Sequence, residues 1–188
     1  WWPRSSRPMT AIRATGSRVM RRGGKAPRPD AGVLMRIDIA IEAGGWAGEE
    51  ALRALAEDAV GAVFAELGRE TPDSELSLLF TDDAHVRVLN RDWRGKDQPT
   101  NVLSFPAFEV APGDAIPPML GDIALAFETV TREAGLEEKP FDHHLTHLVV
   151  HGLLHLMGHD HEEDGEAEAM EALERAALAR LAIPDPYG

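Results

Sequence analysis

The chain has 188 residues, 44% of them apolar, with no cysteine and a formal net charge of −13. This length and apolar content suit one compact domain with its own core rather than a stapled miniprotein. The missing cysteines exclude a disulfide framework and a thiolate metal site and fit a reducing cytoplasm, and no apolar run approaches the roughly 20 residues of a membrane-spanning helix, so no membrane partner is expected.

Charge is distributed unevenly. Residues 1–34 hold eight of the 19 Lys and Arg and one of the 32 Asp and Glu, leaving 11 basic against 31 acidic residues in 35–188. The basic leader has no apolar period with which to build a core and is expected to be a disordered N-terminal extension. Arginine without acids suits an RNA-tethering arm or a transit-like peptide. The preferred reading is an upstream start, because Met9, Met20 and Met35 all precede folded-looking sequence. Residues 35–188 read as a single domain. Their acidity lacks the basic footprint of a general nucleic-acid coat, so DNA is not expected as a partner and any RNA contact must be local.

Residues 35–42 alternate Ile37, Ile39 and Ile41 with Asp38, Ala40 and Glu42, the period of a half-buried strand. Over 48–67 the apolar positions Leu52, Leu55, Val60, Val63, Phe64 and Leu67 follow helical spacing, and Gly68 stands at the expected stop. Residues 75–80 predict a second strand, and Thr81-Asp82-Asp83 then offers N-cap chemistry to a helix through Val86, Leu89 and Trp93. Residues 101–105 are extended and closed by Pro106, whereas 107–118, with three prolines and one glycine, form a loop. Residues 120–127 read as a fourth strand interrupted near Gly121-Asp122, followed by a short helix over 129–134. Residues 141–157 make an apolar, histidine-rich helix, 158–165 a turn, and 166–182 a last amphipathic helix on Met170, Leu173, Ala177, Leu178 and Leu181. The order βαβαββααα predicts an α+β fold, a small mixed sheet of about four strands packed with about five helices.

Chemistry concentrates in His151-Gly152-Leu153-Leu154-His155-Leu156-Met157-Gly158-His159-Asp160-His161. Two histidines four apart on a helix project from one face about 6 Å from each other, so both imidazoles can reach one ion. A ligand ten residues after the first would lie about 15 Å along a continuing helix, so the helix must end first. Gly158 stands where it can take the left-handed conformation that stops a helix. His161 can then fold back to complete a three-histidine site with an open fourth position, the catalytic rather than the structural pattern for one zinc ion per chain. The H-x-x-x-H-x-x-G-x-x-H arrangement resembles that of metzincins, which predicts a zincin-like metal helix near the C-terminus.

The neighbouring residues have supporting roles at most. His159 is a rim residue or an alternative to His161, and Asp160 either orients an imidazole or caps the loop. His147, one turn before His151, is better placed to support the ligands than His143 or His144, which read as solvated or core positions. A zinc peptidase of this geometry uses H-E-x-x-H, whose glutamate is the general base. Gly152 occupies that place, and glycine cannot move a proton.

With these motifs the sequence resembles the YbeY family of bacterial endoribonucleases and rRNA maturation factors, over roughly residues 35–183. The family motif H-G-x-L-H-L-x-G-(Y/H)-D-H stands intact from His151 to His161, a second family-like block covers 90–106, and a third is Leu120-Gly121-Asp122-Ile123. The resemblance implies a cytoplasmic, zinc-dependent, single-strand-specific endoribonuclease acting in 16S rRNA 3′-end maturation and ribosome quality control. It implies rRNA and the small ribosomal subunit as partners, and the three motif histidines as ligands.

At the start of the second block and just before it, Arg87, Arg91, Arg94 and Lys96 gather four of the eleven basic residues of 35–188 into ten positions, a local positive site such as an acidic RNA enzyme needs. Arg94 is the candidate catalytic residue, because a guanidinium grips phosphate oxygens in bidentate fashion and the family's functionally important arginine maps there. Arg91, Lys96, Thr100 and Ser104 are further candidates for RNA contact; ion pairs to Asp92 or Asp97 and strand capping compete as explanations. Two other functions remain open from the sequence. One is a ribosome-assembly factor with a structural zinc site; the other, disfavoured by Gly152, is a metallopeptidase.

Overall fold

The computed structural model describes residues 35–161 and 163–188. The expectations for residues 1–34 lie outside the described residues. The elements follow in the predicted order: β1 (Arg36–Ile41), α1 (Glu49–Glu66), β2 (Glu75–Thr81), α2 (Asp83–Arg94), β3 (Val102–Pro106), β4 (Met119–Ala126), α3 (Phe127–Leu136), α4 (Phe141–Leu156) and α5 (Asp164–Arg180). The sheet order is β1-β2-β4-β3, with β1, β2 and β4 parallel and β3 antiparallel to β4. Parallel neighbours need a crossover; α1 supplies the first, and α2 with β3 fills the second.

Alternation along the strands sends Leu76, Leu78, Phe80, Ile123 and Leu125 into one core with α1, α4 and α5. Leu103, Phe105 and Ala124 point to the other face, where Trp93 of α2 meets Phe105 edge-on at 6.1 Å. The histidine helix α4 therefore lies directly on the sheet. A side chain on Gly152 would come within 3.0–3.1 Å of Ile123 and of the Ser104 hydroxyl, and that hydroxyl donates to the Gly152 carbonyl at 3.2 Å.

Most elements shift by a residue or two from the sequence reading, α5 among them at Asp164–Arg180 rather than 166–182, and two differences have a physical cause. Strand β4 runs without a break; its irregularity is a bulge, since Glu75 pairs with Met119 and Leu76 with Gly121, leaving Leu120 extra. Gly121 adopts φ +147°, and a Cβ there would sit 2.3 Å from the Phe105 carbonyl oxygen, so only glycine lets β3 approach. Helix α3 begins at Phe127, two residues earlier than predicted, because its caps come from elsewhere. Asp83 accepts from the Thr129 backbone and hydroxyl at 3.0 and 2.7 Å, while Glu128 accepts from the Asp83 backbone at 2.9 Å. The N-termini of α2 and α3 thus cap each other.

Candidate metal centre

Helix α4 ends as the glycine predicts. Gly158 takes φ +87°, its N–H donates to the His155 carbonyl at 3.0 Å, and the His159 N–H donates to the Leu154 carbonyl at 3.1 Å. This pair of bonds is the Schellman motif, which reverses the chain and satisfies the last carbonyls. Asp160 caps the following turn by accepting from the His161 N–H at 2.8 Å. The result brings His161 back beside the helix, with its ring centre 5.0 Å from that of His155 and 5.7 Å from that of His151.

One nitrogen from each of His151, His155 and His161 lies within 4.8 Å of the others. The Nε2 atoms of His151 and His155 are 3.1 Å apart, close to the roughly 3.3 Å that separates two imidazole nitrogens on a tetrahedral zinc with bonds of about 2.0–2.1 Å. His155 and His151 are half-buried and His161 is exposed on its loop. Burial, reinforced by the charges of His151 and His161, pushes the His155 imidazole down to about 4, with Asp160 and a hydrogen bond to the His159 backbone pulling the other way. Neutral imidazole is the form that binds a metal. The donor set therefore fits an ion that favours nitrogen ligands, zinc among them.

Behind this cluster stands a carboxylate. Glu174 of α5 is only 1% exposed. Its Oε1 faces His151 Nδ1 at 2.6 Å and its Oε2 faces His147 Nε2 at 3.0 Å, while the Tyr187 hydroxyl donates to the same Oε2. Burial alone would raise the carboxyl, but the hydrogen bonds from His147, His151 and Tyr187 outweigh it and hold the group well below the usual carboxylate range. A cavity of about 340 Å³ opens alongside, lined in part by Asn101, Glu133, His144, His147, His151 and Tyr187. Glu174 and Tyr187 are absent from the residues that the sequence singles out. A signal does exist: Glu174 falls between Met170 and Ala177, Leu178 on the buried stripe of an amphipathic helix, where a lone carboxylate needs partners.

The basic block is resolved residue by residue. Arg87 is paired with Asp97 at 2.8 and 3.0 Å, and Arg91 with Asp92 at 2.8 Å, all at the surface. Arg94 and Lys96 are exposed on either side of Gly95, which ends α2 in a left-handed turn. Burial of part of the Arg94 side chain lowers its pKa, and the Asp160 carboxylate, on the loop that carries His161, acts in the opposite direction. Thr100 donates weakly to Asn101 at 3.4 Å. Ser104 is 5% exposed and tied to α4, so its hydroxyl fastens the histidine helix to β3 rather than facing a ligand. His159 is half-buried beside His155, and burial lowers its pKa. His144 serves the core, bonding Glu133 at 2.9 Å.

The profile of the family described as Endoribonuclease YbeY matches residues 41–182. The chain belongs to the YbeY family. Relatives named Endoribonuclease YbeY include one from Sinorhizobium fredii, 54% identical over 81% of this chain and 91% of its own length. Another, from Rhodopseudomonas palustris, is 56% identical over 80% of this chain and 90% of its own. Among solved structures, the solution structure of TM1509 from Thermotoga maritima is 28% identical with a TM-score of 0.50, covering 78% of this chain and 91% of the other. The YbeY match spans the three histidines, Arg94 and Glu174, and stops before Tyr187.

Proposed function

We propose that this chain is a zinc-dependent endoribonuclease that cuts single-stranded RNA in rRNA processing, at the 16S 3′ end and in ribosome quality control, with residues 35–188 as its single domain. The observation that carries the reading is the convergence of three imidazole nitrogens within 4.8 Å at the end of α4, in a chain of an endoribonuclease family. His151, His155 and His161 would hold one zinc ion and leave a coordination position for substrate. When bound, the ion supplies Lewis-acid stabilisation of a phosphodiester oxygen.

The chain's own part is to bind and orient. Arg94 would take phosphate oxygens and stabilise the charge that develops during cleavage, with Lys96 as a neighbouring phosphate contact. Arg91 contributes once it exchanges Asp92 for RNA. The acidic remainder confines RNA contact to this rim, and the small ribosomal subunit in the cytoplasm is the proposed setting. Among the described residues no helix is long and apolar enough to cross a membrane. RNA carries its own nucleophile, the 2′-hydroxyl, so the reading needs less acid–base machinery than peptide hydrolysis does. A peptidase reading lacks its general base, because position 152 is glycine, and even a Cβ there would press on the Ile123 side chain and the Ser104 hydroxyl at 3.0–3.1 Å.

The test is cleavage of a single-stranded RNA by protein freed of metal and then reloaded with zinc, beside elemental analysis of the purified protein. Activity is expected to vanish on chelation, return with zinc, and be lost in a folded His155→Ala. Cyclic 2′,3′-phosphate ends would identify the 2′-hydroxyl as the attacking group. Unchanged cleavage by His155→Ala would overturn the catalytic reading.

A further inference from the structure

Burying a carboxylate is unfavourable unless its oxygens are fully bonded, and Glu174 has three donors arranged around it in two directions. Oε1 takes His151 at 2.6 Å, and Oε2 takes His147 at 3.0 Å together with the hydroxyl of Tyr187, the single tyrosine of the chain. An ionised carboxylate only accepts, so the His151 nitrogen that faces it must carry the proton. In a neutral imidazole the other nitrogen then carries the lone pair. That other nitrogen is Nε2, the atom that lies 3.1 Å from Nε2 of His155.

The tyrosine is itself tied down. The segment after α5 is held by Lys139, which donates to the Pro186 carbonyl at 2.5 Å, and by Arg175, which pairs with Asp185 at 3.3 Å and lies 5.0 Å over the Tyr187 ring. That ring also meets the His147 ring in a T-shaped contact, with centres 5.5 Å apart. This segment lies beyond residue 182, where the family match ends.

We propose that Glu174, gripped by Tyr187 and His147, is a positioning residue that fixes the tautomer and ring orientation of His151, and that the segment following α5 is thereby part of the metal centre. The inference rests on the metal reading for its purpose, though not for its geometry. Carboxylates that orient ligating histidines commonly account for about 10–100-fold in metal affinity.

The experiment uses the full chain with three substitutions, Glu174→Leu, Glu174→Gln and Tyr187→Phe, and two measurements. In metal-free protein, long-range proton–nitrogen correlation spectra read the His151 tautomer. The wild type is expected to hold its proton on Nδ1, Glu174→Leu to give a tautomer mixture, and Glu174→Gln, whose amide oxygen still accepts, to restore most of the Nδ1–H form. Zinc affinity, measured by chelator competition with cobalt as an optical probe, is expected to fall about 10–100-fold in Glu174→Leu, less in Glu174→Gln, and least, in the same direction, in Tyr187→Phe. Should Glu174→Leu fail to fold, the other two carry the test. A folded Glu174→Leu with an unchanged His151 spectrum and wild-type zinc affinity would overturn the proposal, as would wild-type zinc affinity in both Glu174→Gln and Tyr187→Phe where Glu174→Leu does not fold. A wild type that takes up no zinc would defeat the metal reading alone, since the tautomer measurement still decides whether Glu174 orients His151.

Discussion

Gly158→Ala tests whether a turn of backbone, rather than the histidines themselves, assembles the centre. Two penalties act together. At φ +87° an L side chain is strained, by about 1–2 kcal/mol. A Cβ at 158 would also lie 2.0 Å from the Val110 carbonyl oxygen and 2.7 Å from its carbon, an overpacking against backbone that costs about 1–3 kcal/mol. The expected loss is about 2–5 kcal/mol, which for a protein of this size lowers Tm by roughly 4–20 °C. Gly61→Ala is the internal control: it lies within α1 with nothing inside 4 Å of the added methyl, so it should gain about 0.8–1 kcal/mol from helix propensity alone. Thermal unfolding of the metal-free proteins measures both, and zinc titration then asks whether His161 still joins the other ligands. A folded Gly158→Ala within about 0.5 kcal/mol of wild type, with undiminished zinc affinity, would refute the reasoning. So would equal losses at 61 and 158.

Three further outcomes are expected. Arg94→Ala should reduce RNA cleavage by about 10²–10³-fold while zinc content by elemental analysis stays at the wild-type level. Asp82→Ala should cost about 1 kcal/mol at neutral pH by removing the N-cap of α2, where the Asp82 carboxylate accepts from the His85 N–H at 2.9 Å. That backbone bond is the main cause holding the Asp82 carboxyl below its ordinary 3.8. Its contribution is therefore fully present above pH 3.8 and is lost as pH falls through the lower folded value, so urea midpoints of variant and wild type should converge in strong acid. Gly121→Ala should destabilise more than any substitution at an open glycine, because its methyl would meet the Phe105 carbonyl at 2.3 Å; urea unfolding reads this directly.

Much of this architecture is legible because its cues are local. Ile37, Ile39 and Ile41 alternate, Leu52 to Leu67 repeat at helical spacing, and Gly158 marks its own turn, so the element order and the histidine cluster follow from neighbours in sequence. What is hidden depends on partners far along the chain. Residue 127 looks like the end of a strand because the caps that start α3 there include Asp83, 46 residues before Thr129. Glu174 pairs with histidines 23 and 27 residues away, and periodicity registers only that a charge interrupts an apolar stripe. Ser104 reads in sequence as either a phosphate donor or a strand cap, and its bond to the Gly152 carbonyl, 48 residues on, is visible only with the covering helix in place. The four cations between Arg87 and Lys96 count as one positive site in sequence, yet Arg87 and Arg91 are each matched by an aspartate.

The carbonyl of Val110 sits against Gly158, which ties the proline-containing stretch 107–118 to the loop that delivers the third imidazole. Surface connections usually tolerate length changes, but this one acts as a backstop. Lengthening or shortening it by a residue would move the stop against which the chain reverses and so alter the reach of His161. Homologous proteins with the same histidines but a different spacing here would have to hold the reversal by other means.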